Sequence, residues 1–428
     1  MRILITDFYC TYNCGDAAIL EGMIYSLRKA FDQPEIVVTS SWPRAAERRH
    51  SIVAVPPLVT LPTSGGSMFT RLGVRGTWRL KLATLRWAAR YGTSKITDAV
   101  MTLAPGTYHE YQRADLILSC GGGFLNDNYY LGLIRRLYGL LVAKRLKKPV
   151  MIYAQSIGPF RRAPYVELAR AVLNHVDAIT TRDSLSLEVL KDIGVVSPLV
   201  EFTADAAFSL PPAGEENGVA IPSRWTIQKG DAPVMGISVR RWQYPGAVAP
   251  EKKHRRYIHE IAKVADYLTS EYEARLIFVP MALGEEGYHA DDRKVAHQVM
   301  QCMEQKKAAS VLDDVLMPWQ MREVLGNLDL LLATRMHALI LATTMYVPSV
   351  GISYEFKIDE YMNRIGQGEL VCDIQTLSHE ELVSKIDNAW RHRWDIREAL
   401  KRRIPILVRR SHRNATIAKE LVSTFCHP

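Results

Sequence analysis

Leu328-Asp-Leu-Leu-Leu-Ala333, then Thr334-Arg-Met-His337, then Ala338-Leu-Ile-Leu-Ala-Thr-Thr344, then Val347-Pro-Ser-Val-Gly-Ile352: this stretch decides how the chain folds. Its first block is apolar apart from Asp329 and has the length of a strand buried on both faces. A helix-length apolar block follows, and Val347–Ile352 reads as the next strand. Strand, helix and strand in that order make a parallel unit, because two parallel neighbours need a crossover between them.

The same alternation extends outward in both directions. Arg2–Thr6, Glu35–Thr39, Asp115–Ser119, Val150–Ala154, Ala178–Thr181 and Leu199–Thr203 are candidate strands upstream, and Val234–Val239 and Leu276–Val279 precede the quoted stretch. Between the two series lies Pro211–Asp231, rich in proline and glycine, which reads as a boundary. The expected fold is therefore α/β, with two Rossmann-like domains facing each other across a cleft. This resembles the GT-B architecture of glycosyltransferases. The expected limits are 1–210, a linker at 211–231, 232–375, and a helical tail at 376–428. Arg402, Arg403, Arg409, Arg410 and Arg413 give that tail a basic surface. It is expected to pack across the domains or cover an edge, without chemistry of its own.

A chain of 428 residues with 48% hydrophobic and 23% charged residues has the composition of a soluble two-domain enzyme rather than of a disordered chain. The start, Met-Arg-Ile-Leu-Ile-Thr, lacks the apolar stretch of a secretory leader, and no apolar run reaches the roughly 18 to 20 residues of a membrane span. A cytoplasmic protein is expected, with peripheral contact at the inner face of the membrane left open. The six cysteines have no metal-site or redox spacing, so reduced thiols and no metal are expected. The net charge of +9 suits an anionic substrate or a membrane surface. Nucleic acid is disfavoured, since no reading motif accompanies the charge. Arg71–Lys95, inside a basic insertion at about 61–110, carries seven Lys or Arg and no acid, with Trp78, Leu82, Leu85 and Ala89 at helical spacing. It reads as a surface helix packed on the first domain, or as an interfacial helix near an anionic, lipid-linked acceptor.

On an open parallel sheet a ligand binds beyond the carboxyl ends of the strands, so residues after each strand are the candidates. Asn13 and Asp16 follow the first strand, with Asp16 placed to cap the helix beginning at Ala17. Gly121-Gly-Gly123-Phe-Leu-Asn126-Asp follows the third; its glycines admit close backbone approach, but it matches neither a Walker loop nor a dinucleotide fingerprint. Ser156, Arg182 and Asp205 follow later strands. Arg182 can grip a phosphate or carboxylate, or instead pair with Asp183 or a neighbouring acid. In the second half Arg240, Arg335, His337 and Lys357 all follow strands, and four cationic or potentially cationic groups are expected in one cleft.

Asn13-x-Gly15-Asp16, Gly121–Gly123, Ser156-Ile-Gly-Pro159, Thr181-Arg-Asp-Ser184, Ala204-Asp205, Gly236-Ile-Ser238 and Arg335-x-His337-Ala-Leu with Pro348 and Lys357 together resemble the polysaccharide pyruvyl transferase family, over roughly residues 1 to 370. The resemblance implies phosphoenolpyruvate as donor, with no cofactor, and a cyclic pyruvate ketal on a sugar as product. It implies Arg182, His337 and Lys357 as donor-site residues. Arg335 and Arg240 are further donor-side candidates. His337 is the expected acid, Asp16 or Asp205 the expected base, and Asn13, Gly122, Gly123, Asn126 and Ser156 the expected acceptor contacts. Two departures bear on the acceptor: Phe-Leu-Asn-Asp-Asn-Tyr-Tyr follows the glycines where relatives often have Ser-Leu-x-Gln-Asp, and the basic insertion is long. The acceptor sugar, its carrier and a homo-oligomeric state are left open. A nucleotide-sugar glycosyltransferase and a non-catalytic glycan- or membrane-binding protein are the alternatives.

Overall fold

The computed structural model describes residues 1–59, 104–211, 221–226, 230, 232–285 and 288–426. Arg71–Lys95 lies outside the described residues. The strands are β1 (Arg2–Phe8), β2 (Glu35–Ser40), β3 (Val53–Val55), β4 (Leu116–Ser119), β5 (Gly122–Leu125), β6 (Val150–Ile157), β7 (Ala178–Thr181) and β8 (Leu199–Phe202) in one sheet. The second sheet holds β9 (Val234–Ser238), β10 (Arg275–Phe278), β11 (Ala309–Val311), β12 (Leu330–Ala333), β13 (Ser349–Ser353) and β14 (Val371–Asp373).

The strand orders are 3-2-1-4-6-7-8, with β5 paired to β6 off that path, and 11-10-9-12-13-14. Neighbouring strands run parallel in both sheets. Both orders start in the Rossmann manner, running outward from a central strand and then reversing. Burial on both faces explains the composition of the central strands: Ile3, Leu4 and Ile5 of β1 and Leu330, Leu331 and Leu332 of β12 are all within 1% of full burial.

By contact density the chain forms two units, one of Met1–Thr11, Met23–Ala206 and Arg410–Pro428, the other of Tyr12–Gly22 and Ala207–Arg409. The tail forms the helices His379–Arg391 and Arg393–Cys426. In the first unit the end of the tail bonds to the chain at and beyond the sheet-edge strand β8: Thr203 Oγ1 donates to Asn414 Oδ1 (2.8 Å), and Ser411 Oγ to the Asp205 carbonyl (2.8 Å).

Three local readings need correction. The first helix, Cys14–Ala30, starts before Asp16, and its cap is Asn13, whose Oδ1 accepts from the amides of Gly15 (3.0 Å) and Asp16 (3.4 Å). Asp16 instead sits in the first turn, where the positive end of the helix dipole favours a carboxylate. Strand β6 runs on through Gln155, Ser156 and Ile157, so Ser156 is a strand residue, not one that follows a strand. Gly122 and Gly123 also lie in a strand, β5, whose Gly122 and Leu125 pair with Gln155 and Ile157 of β6. Gly122 has φ 143°, outside the range a side chain tolerates well, which is why glycine stands there.

Candidate active site

The second sheet reverses direction between β9 and β12, and the carboxyl ends at such a reversal form the ligand crevice of open α/β sheets. Arg240 stands just beyond β9, Arg335 and His337 just beyond β12, and Tyr354 and Lys357 just beyond β13. The Arg240 guanidinium lies 4.2 Å from the Tyr354 ring centroid and 5.3 Å from that of Trp242. The Tyr354 and Trp242 centroids are 4.7 Å apart. Lys357 Nζ lies 5.8 Å from the Tyr354 centroid and pairs with Glu355 at 2.6 Å. Burial pushes the Tyr354 phenol up, yet Arg240, Lys357 and Arg335 together outweigh it and hold its pKa below the ordinary value. Three of the four expected groups thus act on one tyrosine.

Arg335 is held from behind. Its Nε and Nη2 donate to Asp292 Oδ2 (2.9 Å) and Oδ1 (2.6 Å), a two-pronged grip on a carboxylate that is only 1% exposed. Burial disfavours the charged guanidinium, but the Asp292 carboxylate reverses that effect and raises its pKa above the usual range. Asp292 Oδ2 also accepts from the amides of Met281 (3.1 Å) and Ala282 (3.0 Å). Against this same stretch lies the N-terminal motif: Cys14 N–H donates to the Met281 carbonyl (2.8 Å), and Leu283 N–H to the Tyr12 carbonyl (2.9 Å). Asn13 Nδ2 reaches Tyr288 Oη at 3.3 Å.

His337, at the second position of the helix Met336–Thr344, is half-buried against Gly15. A Cβ at Gly15 would stand 2.6 Å from His337 Cγ and closer still to Nδ1. Glycine here is a packing requirement, and it explains why Asn13-x-Gly15-Asp16 and Arg335-x-His337, more than 300 residues apart in sequence, belong to one unit.

The first unit holds the other expected site residues in a separate, internally paired network. Arg182 Nη1 donates to Asp205 Oδ2 (2.5 Å) and Nε to Ser156 Oγ (2.8 Å), with Arg182 6% and Asp205 3% exposed. Ser156 Oγ donates to Asp183, whose Oδ1 caps the helix Ser184–Asp192 through Ser186 N–H (2.9 Å). The ion pair weighed against a ligand contact for Arg182 is therefore present, with Asp205 as its acid. Asn126 is engaged locally too: Nδ2 donates to the Gly123 carbonyl (2.9 Å) and Oδ1 accepts from Asn128 N–H (3.0 Å). Among the described residues no group of three His, Cys, Asp or Glu side chains is placed to hold a metal ion. None of their helices is long and apolar enough to cross a membrane.

The family model described as polysaccharide pyruvyl transferase matches residues 13–355. The chain belongs to the polysaccharide pyruvyl transferase family. The match starts at Asn13 and ends at Glu355, so it takes in both the N-terminal motif and the strand ends that carry Arg240, Arg335 and His337. Lys357 lies two residues past its end. The chain is 24% identical over 410 residues to the amylovoran biosynthesis protein AmsJ of Erwinia amylovora, covering 94% of this chain and 95% of that one. In fold, the chain is similar to the UDP-GlcNAc 2-epimerase of Neisseria meningitidis, with a TM-score of 0.59, 11% identity and full coverage of both chains. It is also similar to the Anabaena protein Alr3699/HepE solved with UDP-glucose, with a TM-score of 0.56, 13% identity, and 100% and 99% coverage. These likenesses bear out the GT-B-like fold with its helical C-terminus. Sequence reasoning missed Tyr354 and Asp292. Tyr354 follows its strand directly and could have been found by position alone, whereas Asp292 carries no signal short of its partner Arg335.

Proposed function

We propose that this member of the family transfers the enolpyruvyl unit of phosphoenolpyruvate to a sugar of a polysaccharide, or of its lipid-linked precursor, and closes a pyruvate ketal with release of phosphate. The observation that carries the reading is the gathering of Arg240, Arg335 and Lys357 about Tyr354 at the strand ends that also present His337. The donor carries a phosphate and a carboxylate, and a set of fixed cations stabilises both without reorganising during reaction. Asp292 takes the Nε/Nη2 edge of Arg335, and Nη1 is the amino group this proposal assigns to the donor. His337, as imidazolium, gives its proton to the methylene carbon of the donor, and the cationic C2 that results is captured by one sugar hydroxyl. Cleavage of the C2–O bond releases phosphate, and a second hydroxyl adds to C2 to close the ring. The two hydroxyl protons leave, one with the phosphate and one to restore His337.

The test joins ligand binding to turnover. Phosphoenolpyruvate is expected to raise the melting temperature where UDP-glucose does not. His337→Ala is expected to keep that shift and lose turnover, and Lys357→Ala to lose the shift itself. Turnover in His337→Ala equal to that of the native protein removes the acid assignment. Stabilisation by UDP-glucose in place of phosphoenolpyruvate turns the reading to a nucleotide-sugar transferase.

A further inference from the structure

Two of the side chains expected to meet the acceptor are occupied within the first unit: Asn126 closes its own turn, and Ser156 serves the Arg182–Asp183 network. Beside them runs a row of aromatic rings. Tyr9 directly follows β1, Trp42 lies just beyond β2, Phe124 is on β5, and Tyr129 closes the short turn Asp127–Tyr129 after β5. The row is continuous. Trp42 meets Tyr9 edge to face at 5.9 Å, Tyr9 meets Phe124 at 5.6 Å, and Phe124 meets Tyr129 at 6.4 Å.

Position and exposure distinguish this row from core packing. It crosses the carboxyl ends of β2, β1 and β5, at the side of the sheet where the order reverses between β1 and β4 and where ligands of such sheets bind. Tyr9, Trp42 and Phe124 are half-buried and Tyr129 is 53% exposed, whereas the strand residues beneath them are fully buried. Phe124 is braced by Arg136, whose guanidinium carbon lies 4.8 Å from the ring centroid and whose Nε lies 4.0 Å from Asp7 Oδ1. Such bracing fixes a ring in place.

We propose that Tyr9, Trp42, Phe124 and Tyr129 form the carbohydrate subsite of this protein, a faceted aromatic strip, its neighbouring rings inclined at 85°, 47° and 67°, whose successive faces and edges meet the acceptor's pyranose rings. Pyranoses present faces of C–H bonds carrying partial positive charge, and these pack on the negative faces of aromatic rings while the hydroxyls at the ring edge remain free to react. Four rings spread over the ends of β2, β1 and β5 offer contacts to more than one pyranose, which fits an oligosaccharide segment better than a free monosaccharide. The proposal rests on the pyruvyl-transfer reading for the identity of the acceptor, but the binding it asserts needs no donor.

Saturation-transfer NMR tests it without phosphoenolpyruvate. The probes are oligosaccharides cut from the host polysaccharide and stripped of ketal by mild acid, alongside the methyl glycosides of galactose, glucose and N-acetylmannosamine. The native protein is expected to transfer saturation to the oligosaccharide, Tyr129→Phe to do the same, and Tyr129→Ala and Tyr9→Ala to bind it at least tenfold more weakly while keeping the phosphoenolpyruvate-induced rise in melting temperature. Absence of transfer to every probe from the native protein overturns the proposal, and so does unchanged affinity in both alanine variants. If the donor shift is missing while the ring-dependent sugar binding remains, the donor reading fails and the aromatic strip stands.

Discussion

Gly15→Ala isolates the contact that joins the N-terminal motif to His337. Alanine is the better helix former by up to about 1 kcal/mol, so a glycine in a helix is normally improved by this change. Here the added methyl would fall 2.6 Å from His337 Cγ and 3.0 Å from its Cβ, at the root of the side chain, where no swing of the ring relieves the clash. Overpacking of that kind costs about 1 to 3 kcal/mol, which outweighs the propensity gain. Gly106 is a matched control: it too is the second residue of a helix, Pro105–Arg113, and a Cβ there meets nothing within 4 Å. At about 2 to 4 °C per kcal/mol for a unit of this size, Gly15→Ala is expected to lower the calorimetric melting temperature by several degrees, and Gly106→Ala to leave it level or raise it slightly. Displacing the imidazole by even about 1 Å can cost on the order of 100-fold in turnover, so kcat should fall in Gly15→Ala alone. If both variants melt and turn over alike, the packing of His337 on Gly15 is wrong.

Removing the carboxylate behind Arg335, as Asp292→Ala, leaves a buried guanidinium without its counter-ion and should cost about 3 to 5 kcal/mol in urea unfolding, with loss of the phosphoenolpyruvate-induced shift. The Arg182–Asp205 pair is expected to behave likewise, each single alanine variant losing about 3 to 5 kcal/mol and the double replacement Arg182→Met with Asp205→Leu recovering much of it. A double variant no better than the singles would refute that pairing. Because the cations hold the Tyr354 phenol below its ordinary pKa, its anionic form is favoured by folding. Its contribution to stability therefore grows as pH rises towards the unfolded value near about 10 and is absent at neutral pH. Ultraviolet titration should show one tyrosinate appearing early in the native protein and missing in Tyr354→Phe; coincident curves would refute the clustering.

Much of this fold can be read from the sequence because its central strands are buried on both faces and write themselves as apolar runs. The starts of β1, β2, β6, β7, β8 and β9 fall where the candidate strands begin, and β13 starts two residues into its run. What escaped has physical causes. β3, β11 and β14 have three residues each, too few to establish a period. β5 is half glycine, and the end of β6 is polar because Gln155 and Ser156 spend their side chains on Cys120 and Asp183, so neither looks like a strand. At the site, strand-end position found Arg240, Arg335, His337 and Lys357. It carried no sign of the partners these residues hold: Asp292 for Arg335, Glu355 for Lys357 and Asp205 for Arg182. Capping chemistry placed Asn13 and Asp16 at the right helix but chose the wrong one as its cap.

The two units are not consecutive along the chain, and that governs what a break can do. Tyr12–Gly22 completes the second unit from within the N-terminal part, and Arg410–Pro428 returns to the first. A protease cutting between Pro211 and Asp231 would yield two pieces, each carrying part of both units. Cys14 would still be bonded to Met281, and Thr203 to Asn414. The nicked protein should elute as a single species under native conditions, and neither fragment produced alone should fold.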